Sequence, residues 1–263
     1  MTAKTSNDMS VIILGSGTCV PSLKRSSCSV LMETGGAKLL FDCGSGTMRR
    51  LLETGTKIFD ISFIFFSHIH PDHTGELASF LFATKYPETE RRQKPLTIVA
   101  GSGFSEFYTR LKNVYGEWIE FKPGLLNIVE MDNKGKDSID FGDFAVKSIP
   151  VEHNDESIAY RITGLGKKSV VYSGDTDFSD NLVDLAKNAD ILICESALPD
   201  ELKAAGHLTP SLAGRIARQA NVKKLVLTHF YPECDQVDIE KQCRMTWSGP
   251  LVLAEDLIKI ELA

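Results

Sequence analysis

No stretch of the 263-residue chain approaches the roughly 20 consecutive apolar residues that a membrane-spanning helix needs, so no transmembrane segment is read. The opening MTAKTSNDMS lacks a basic segment followed by an apolar one, so no secretory leader is expected and the protein is read as cytosolic. Positive charge is also short. Twenty-nine Lys and Arg stand against 35 Asp and Glu, a formal charge of −6 and a pI near 5.6. That balance argues against general binding of nucleic acid, which rests on neutralising phosphates with basic side chains. The six cysteines contain no C-x-x-C pair, which excludes a zinc ribbon and leaves reduced thiols packed in the interior. Low-complexity linkers and long charge blocks are missing too, so residues 1–263 are read as one domain without a membrane partner.

Short β-branched or aromatic runs bounded by Gly, Asp or Ser recur along the chain and predict strands. They are Ser10–Leu14, Cys28–Glu33, Lys38–Phe41, Ile61–Phe66, Leu96–Val99, Ala145–Ile149, Ile158–Ile162, Ser169–Tyr172, Ile191–Cys194 and Lys224–Thr228. Apolar residues at helical spacing predict helices over Gly75–Lys85, Phe104–Val114 and Asn181–Asn188. Another helix is expected from Pro210, with Thr209 as its N-cap. Pro250–Leu262 reads as two strands turning at Glu255–Asp256. The aromatic residues Phe80, Phe82, Tyr86, Phe104, Phe107, Tyr108, Tyr115 and Trp118 are expected to be mostly core. Pattern alone gives a mixed α/β or α+β domain of two sheets with flanking helices.

The six histidines are less evenly spread, with three of them inside ISFIFFSHIHPDH. A buried strand runs straight into His68, His70, Asp72 and His73. Side chains two apart on an extended segment project the same way, so His68 and His70 can grip one ion. Pro71 ends the extended run and redirects Asp72 and His73. Imidazole and carboxylate donors suit zinc, with manganese and iron as alternatives.

The HxHxDH segment resembles the signature of the metallo-β-lactamase fold superfamily of metal-dependent hydrolases. The resemblance implies a four-layer αβ/βα sandwich with a dinuclear site at the open end of its sheets. It also implies three later ligands at strand ends: His153 in PVEH, Asp175 in SGDTD and His229 in THF. By the family scheme His68, His70 and His153 hold one ion, Asp72, His73 and His229 the other, and Asp175 bridges them. Asp72 is expected to orient the attacking hydroxide as well as to ligate. Asp42 in FDCGSG matches a position that supports a ligand histidine from behind.

Gly206-His207-Leu208-Thr209 is similar to the GHST-type motif of ribonuclease Z-like enzymes, with Leu in place of Ser. His207 is therefore the expected proton donor to a leaving alkoxide. The opening LGSGTCVPSLKRSSCSVLM fits the same branch, so the resemblance runs from Leu14 to about Tyr231. His153 and Asp175 are only 22 positions apart, too close to hold the long arm with which ribonuclease Z grips transfer RNA. The expected activity is hydrolysis of a small or cyclic phosphodiester, with a small anionic ester as partner. The alternatives are transfer-RNA 3′-end processing, with RNA docked through Pro87–Lys94, and arylsulfatase, lactonase or thioesterase chemistry on the same site. A homodimer is compatible with this reading.

Overall fold

The computed structural model describes residues 9–86 and 91–262, which fold into two seven-stranded sheets with helices on their outer faces. In the first half of the chain β1 (Ser10–Gly15), β2 (Ser29–Thr34) and β3 (Ala37–Phe41) form an antiparallel meander. Then α1 (Thr47–Glu53) leads to β4 (Ile61–Phe65), α2 (Pro71–Thr74), α3 (Leu77–Ala83), β5 (Leu96–Gly101), α4 (Phe104–Tyr115) and β6 (Leu126–Met131). The pairs β3–β4, β4–β5 and β5–β6 are parallel.

The second half opens with the antiparallel run β7 (Asp137–Asp140), β8 (Phe144–Pro150), β9 (Ile158–Gly164) and β10 (Ser169–Tyr172). It continues through α5 (Asp180–Ala186), β11 (Ile191–Glu195), α6 (Pro210–Gln219), β12 (Leu225–Thr228), α7 (Ile239–Arg244) and β13 (Leu251–Leu253) to β14 (Lys259–Ile260). The strand orders are β14-β1-β2-β3-β4-β5-β6 and β13-β12-β11-β10-β9-β8-β7. The two predicted strands of the closing segment are present, but they enter different sheets. β13 pairs with β12, and β14 crosses back to β1.

The two inner faces make one continuous core. Phe41 and Phe65 stack with ring centroids 4.8 Å apart, and Tyr160 from the other sheet meets both edge-on. The outer residues of the same strands, Leu40 and Ile64, pack in a second core with Phe80, Leu81 and Phe104 from the helices. Burial on both faces explains why β4 reads as an apolar run broken only by Ser62.

Contacts between the sheets fix the backbone that enters the histidine-rich segment. Tyr160 Oη donates to Phe66 O at 2.8 Å, and Ile158 N donates to Ser67 O at 3.0 Å. Gly174 lies on the facing loop at φ +59°, where an added Cβ would come within 2.5 Å of Ser67 Cβ. Only a glycine lets the two loops approach so closely.

Five of the six cysteines are buried and free, as expected of packed thiols, while Cys19 is exposed. The aromatic expectation needs correction: Phe80, Phe104 and Tyr108 are core, but Phe82 on α3, Tyr86 beyond its end, Tyr115 on α4 and Trp118 in the turn after it are exposed. Thr209 does precede α6, yet its side chain makes no capping hydrogen bond. Among the described residues no helix is long and apolar enough to cross a membrane. Part of the segment proposed to dock RNA, residues 87–90, lies outside the described residues.

Candidate metal centre

The loops leaving the C-terminal ends of the central strands meet at one edge of the sandwich. β4 delivers His68 through Ser67, His70 stands as N-cap of α2 with Pro71 at its first position, and α2 carries Asp72 and His73. His153 follows β8, Asp175 follows β10, and His229 follows β12. All seven predicted ligand residues fall into two adjoining groups, His68-His70-His153-Asp175 and Asp72-His73-His229. Within each group one donor atom per residue lies within 4.8 Å of the others.

Asp175 stands between the groups. Its Oδ2 is 3.3 Å from His73 Nε2, 3.8 Å from His68 Nε2 and 3.9 Å from His153 Nε2, and its Oδ1 is 3.3 Å from His229 Nε2. Asp72 Oδ2 lies 3.7 Å from His229 Nε2 and 3.8 Å from His73 Nε2. His70 Nδ1 faces His153 Nε2 at 3.3 Å. The Nε2 atoms of His68, His73 and His229 and Oδ1 of Asp175 are buried with no hydrogen-bond partner. Buried polar atoms without partners are costly, and several converging on one point fit cation binding. Five imidazoles and two carboxylates form a donor set suited to borderline divalent metals.

Asp42 is fully buried behind this cluster, in a left-handed conformation at φ 55° at the end of β3. Its carboxylate accepts from Ser67 N (2.8 Å), Ser67 Oγ (2.8 Å), Tyr172 Oη (2.6 Å) and His73 Nδ1 (2.7 Å). The last bond keeps the proton on Nδ1 of His73 and turns Nε2 toward the cluster. Burial works against the charged form of His73, but Asp175 and Asp42 outweigh it and lift its pKa well above the usual range. Burial and the neighbouring His73 push His68 well below it. Burial opposes ionisation of Asp175, yet His229, His73 and His68 hold its carboxyl well below the ordinary value.

His207 borders the cluster, its ring stacked on His229 at a centroid distance of 5.7 Å and 5.0 Å from that of His153. Its Nδ1 is bonded to Glu195 Oε1 at 2.9 Å, which leaves Nε2 free. Glu195 is buried at the end of β11 and is saturated by Thr176 N, Ala197 N and Leu208 N, each at 3.0 Å. Burial opposes a protonated His207, and the bond to Glu195 outweighs it and raises the pKa. Sequence reasoning missed Glu195. Its signal was an acidic residue closing the otherwise apolar run ILICE beside the SGDTD strand. His207 is also within metal-ligating reach of Asp175 and His229, although those two already belong to complete groups. Beside Asp72, a groove of about 420 Å³ is lined by Thr18, Cys19, Val20, Pro21 and Arg25.

A model of the beta-lactamase superfamily domain matches residues 37–230, which include every ligand candidate. The chain belongs to the beta-lactamase superfamily. This superfamily member is a hydrolase of the metallo-β-lactamase fold, and its His/Asp cluster is suited to divalent metal. It is similar to a ribonuclease Z from Archaeoglobus fulgidus, at 29% identity over 96% of this chain and 97% of the relative. That alignment spans 298 positions, more than this chain contains, so the relative carries residues this superfamily member lacks. Among solved structures, human tRNase Z, short form, matches with a TM-score of 0.77 and 26% identity over 97% of this chain and 99% of that one. The metallo-β-lactamase fold protein YhfI from Bacillus subtilis matches in fold, with a TM-score of 0.81 and 24% identity over 96% of this chain and 99% of that one.

Proposed function

We propose that this superfamily member hydrolyses phosphodiesters at a centre of two divalent cations, zinc in the first instance, with a compact or cyclic diester as substrate. His68, His70 and His153 would hold one cation and Asp72, His73 and His229 the other, with Asp175 standing between the two groups. Two cations bound there supply Lewis acidity toward the diester and lower the pKa of water. Asp72 ligates and orients the water that attacks phosphorus. As the P–O bond breaks, the proton on His207 Nε2 passes to the leaving oxygen, while Glu195 steadies the imidazolium through Nδ1.

The observation that carries this reading is half-buried His207, bonded to buried Glu195 and set against the ligand cluster. An ester with a self-sufficient leaving group has little use for a dedicated proton donor, whereas an alkoxide departing from phosphorus needs one. A compact substrate is supported by the link between His153 and Asp175. It is a plain hairpin, in which β9 and β10 are joined by residues 165–168 alone.

A second reading, transfer-RNA 3′-end processing, is favoured by the relatives named ribonuclease Z and by the human short-form tRNase Z. A panel of 2′,3′-cyclic AMP, bis(p-nitrophenyl) phosphate and a precursor transfer RNA separates the two. Turnover of the small diesters without salt-sensitive RNA cleavage supports the first. Efficient cleavage of the precursor that declines steeply with salt would replace it by the second.

A further inference from the structure

The loop that carries His207 is held by a contact the proposed reaction does not use. Asp177, on the loop after β10, receives two hydrogen bonds from it on one carboxylate oxygen. Lys203 Nζ donates to Oδ2 at 2.7 Å, and Gly206 N donates to the same oxygen at 3.1 Å. The other oxygen, Oδ1, accepts from Phe178 N at 2.7 Å, and the Asp177 N–H donates to Glu152 O at 2.7 Å. Gly206 is gripped from its other side as well, because His153 Nδ1 donates to Gly206 O at 2.8 Å. At φ +80° and with an added Cβ only 3.1 Å from His153 Nδ1, this position favours glycine. One peptide segment, immediately before His207, is thus tied to the loops of both His153 and Asp175.

We propose that Asp177, acting through Lys203 and Gly206, is a positioning residue that sets the proton donor His207 against the metal centre. The inference rests on the reading of His207 as proton donor. Glu195 fixes the ring of His207, but its bonds to this loop go to Nδ1 and to the amide after it. The residues before His207, Lys203 to Gly206, are tied to the ligand loops by the Asp177 clasp and by the bond from His153 Nδ1 to Gly206 O, and Asp177 is the one of the two holders that is not a ligand candidate. Turns on a protein surface are mobile unless tied down. With the clasp open, Nε2 spends less time within reach of a leaving oxygen, although the ligand set is complete.

The test compares substrates that differ in their need for a proton. In bis(p-nitrophenyl) phosphate the departing aryl oxide stabilises its own charge. In 2′,3′-cyclic AMP the departing ribose alkoxide must take the proton from His207. For Asp177→Ala the expected loss of kcat on 2′,3′-cyclic AMP is about tenfold, a fraction of what a general acid contributes, with a change of about twofold or less on the aryl ester. Asp177→Asn keeps an acceptor for Gly206 N and recovers part of the loss, and Lys203→Met gives a smaller loss of the same pattern. Metal content equals that of the parent in all three.

A second readout is independent of turnover. In the metal-free protein, amide hydrogen exchange over residues 203–208 is faster in Asp177→Ala than in the parent. Equal losses on both substrates, loss of metal, or unchanged exchange would overturn the proposal. If His207→Ala itself shows no preference between the substrates, the proton-donor reading fails instead, and the exchange result still decides whether the clasp orders the loop.

Discussion

The two sheets contribute to the metal centre in opposite ways. The first sheet sends four ligand candidates from one six-residue segment, His68 to His73, anchored by a single buried carboxylate, Asp42. The second sends them singly, from the loops after β8, β10 and β12, and orders those loops through Glu195 and Asp177. One half of the site is therefore carried by one short segment, a strand end, a proline and a one-turn helix, braced from behind by Asp42 and by contacts from the second sheet. The other half exists only when the whole second sheet is assembled. Local clusters tolerate change elsewhere in the chain, whereas dispersed ones depend on long-range packing and so are the more sensitive to it.

This contrast can be pressed by substitution. The largest effect is expected of His70→Ala, which removes a ligand candidate from the His68–His73 segment and should abolish nearly all turnover together with the bound metal, read by metal analysis and a diesterase assay. His207→Ala, in the dispersed half, should keep its metal while kcat on a cyclic nucleotide falls about 100-fold. Loss of metal in that variant would make His207 a ligand and remove its role as acid. Asp42→Asn should lower metal affinity by about 10- to 100-fold without abolishing binding, because the ligands stay and only the acceptor behind His73 is weakened. A competition titration with a chromophoric chelator measures it. The smallest change belongs to Trp118→Ala, outside both halves. Its ring is half exposed and meets Phe82 and Tyr86 at 6.1 and 6.5 Å, so thermal unfolding should register about 1 kcal/mol and turnover should hold.

Legibility in the sequence follows the same division. The histidine-rich segment announces itself because its residues are neighbours, and most strands do so because burial on two faces leaves continuous apolar runs. His153, Asp175 and His229 became readable only through the family pattern, since a single His or Asp after a strand carries no local signal. Glu195 escaped because its partners, Thr176, Ala197 and Leu208, converge only in the folded chain. The strands β6 and β7 escaped for another reason. They are edge strands, and DSID of β7 alternates half-buried Asp137 and Ile139 with exposed Ser138 and Asp140 too briefly to show a period. The helix α1 hides behind two arginines, with only Thr47 and Leu51 buried. Thr209 shows the reverse case, a residue whose type predicts a cap that its side chain does not make.

Asp42 and His229 share one more property: both are non-glycine residues in the left-handed region, at φ 55° and 61°. Each stands where the chain leaves a strand, one in each sheet. Such a conformation costs on the order of 1 kcal/mol or more for a residue with a Cβ. Glycine would relieve that cost at either place and would also remove the group that faces the cluster. A search for more stable variants that ignored the chemistry would count these two positions among its targets, and its gains there would come at the expense of the metal centre. Backbone comfort and reactivity are thus set against each other at two single residues, one on each side of the sandwich.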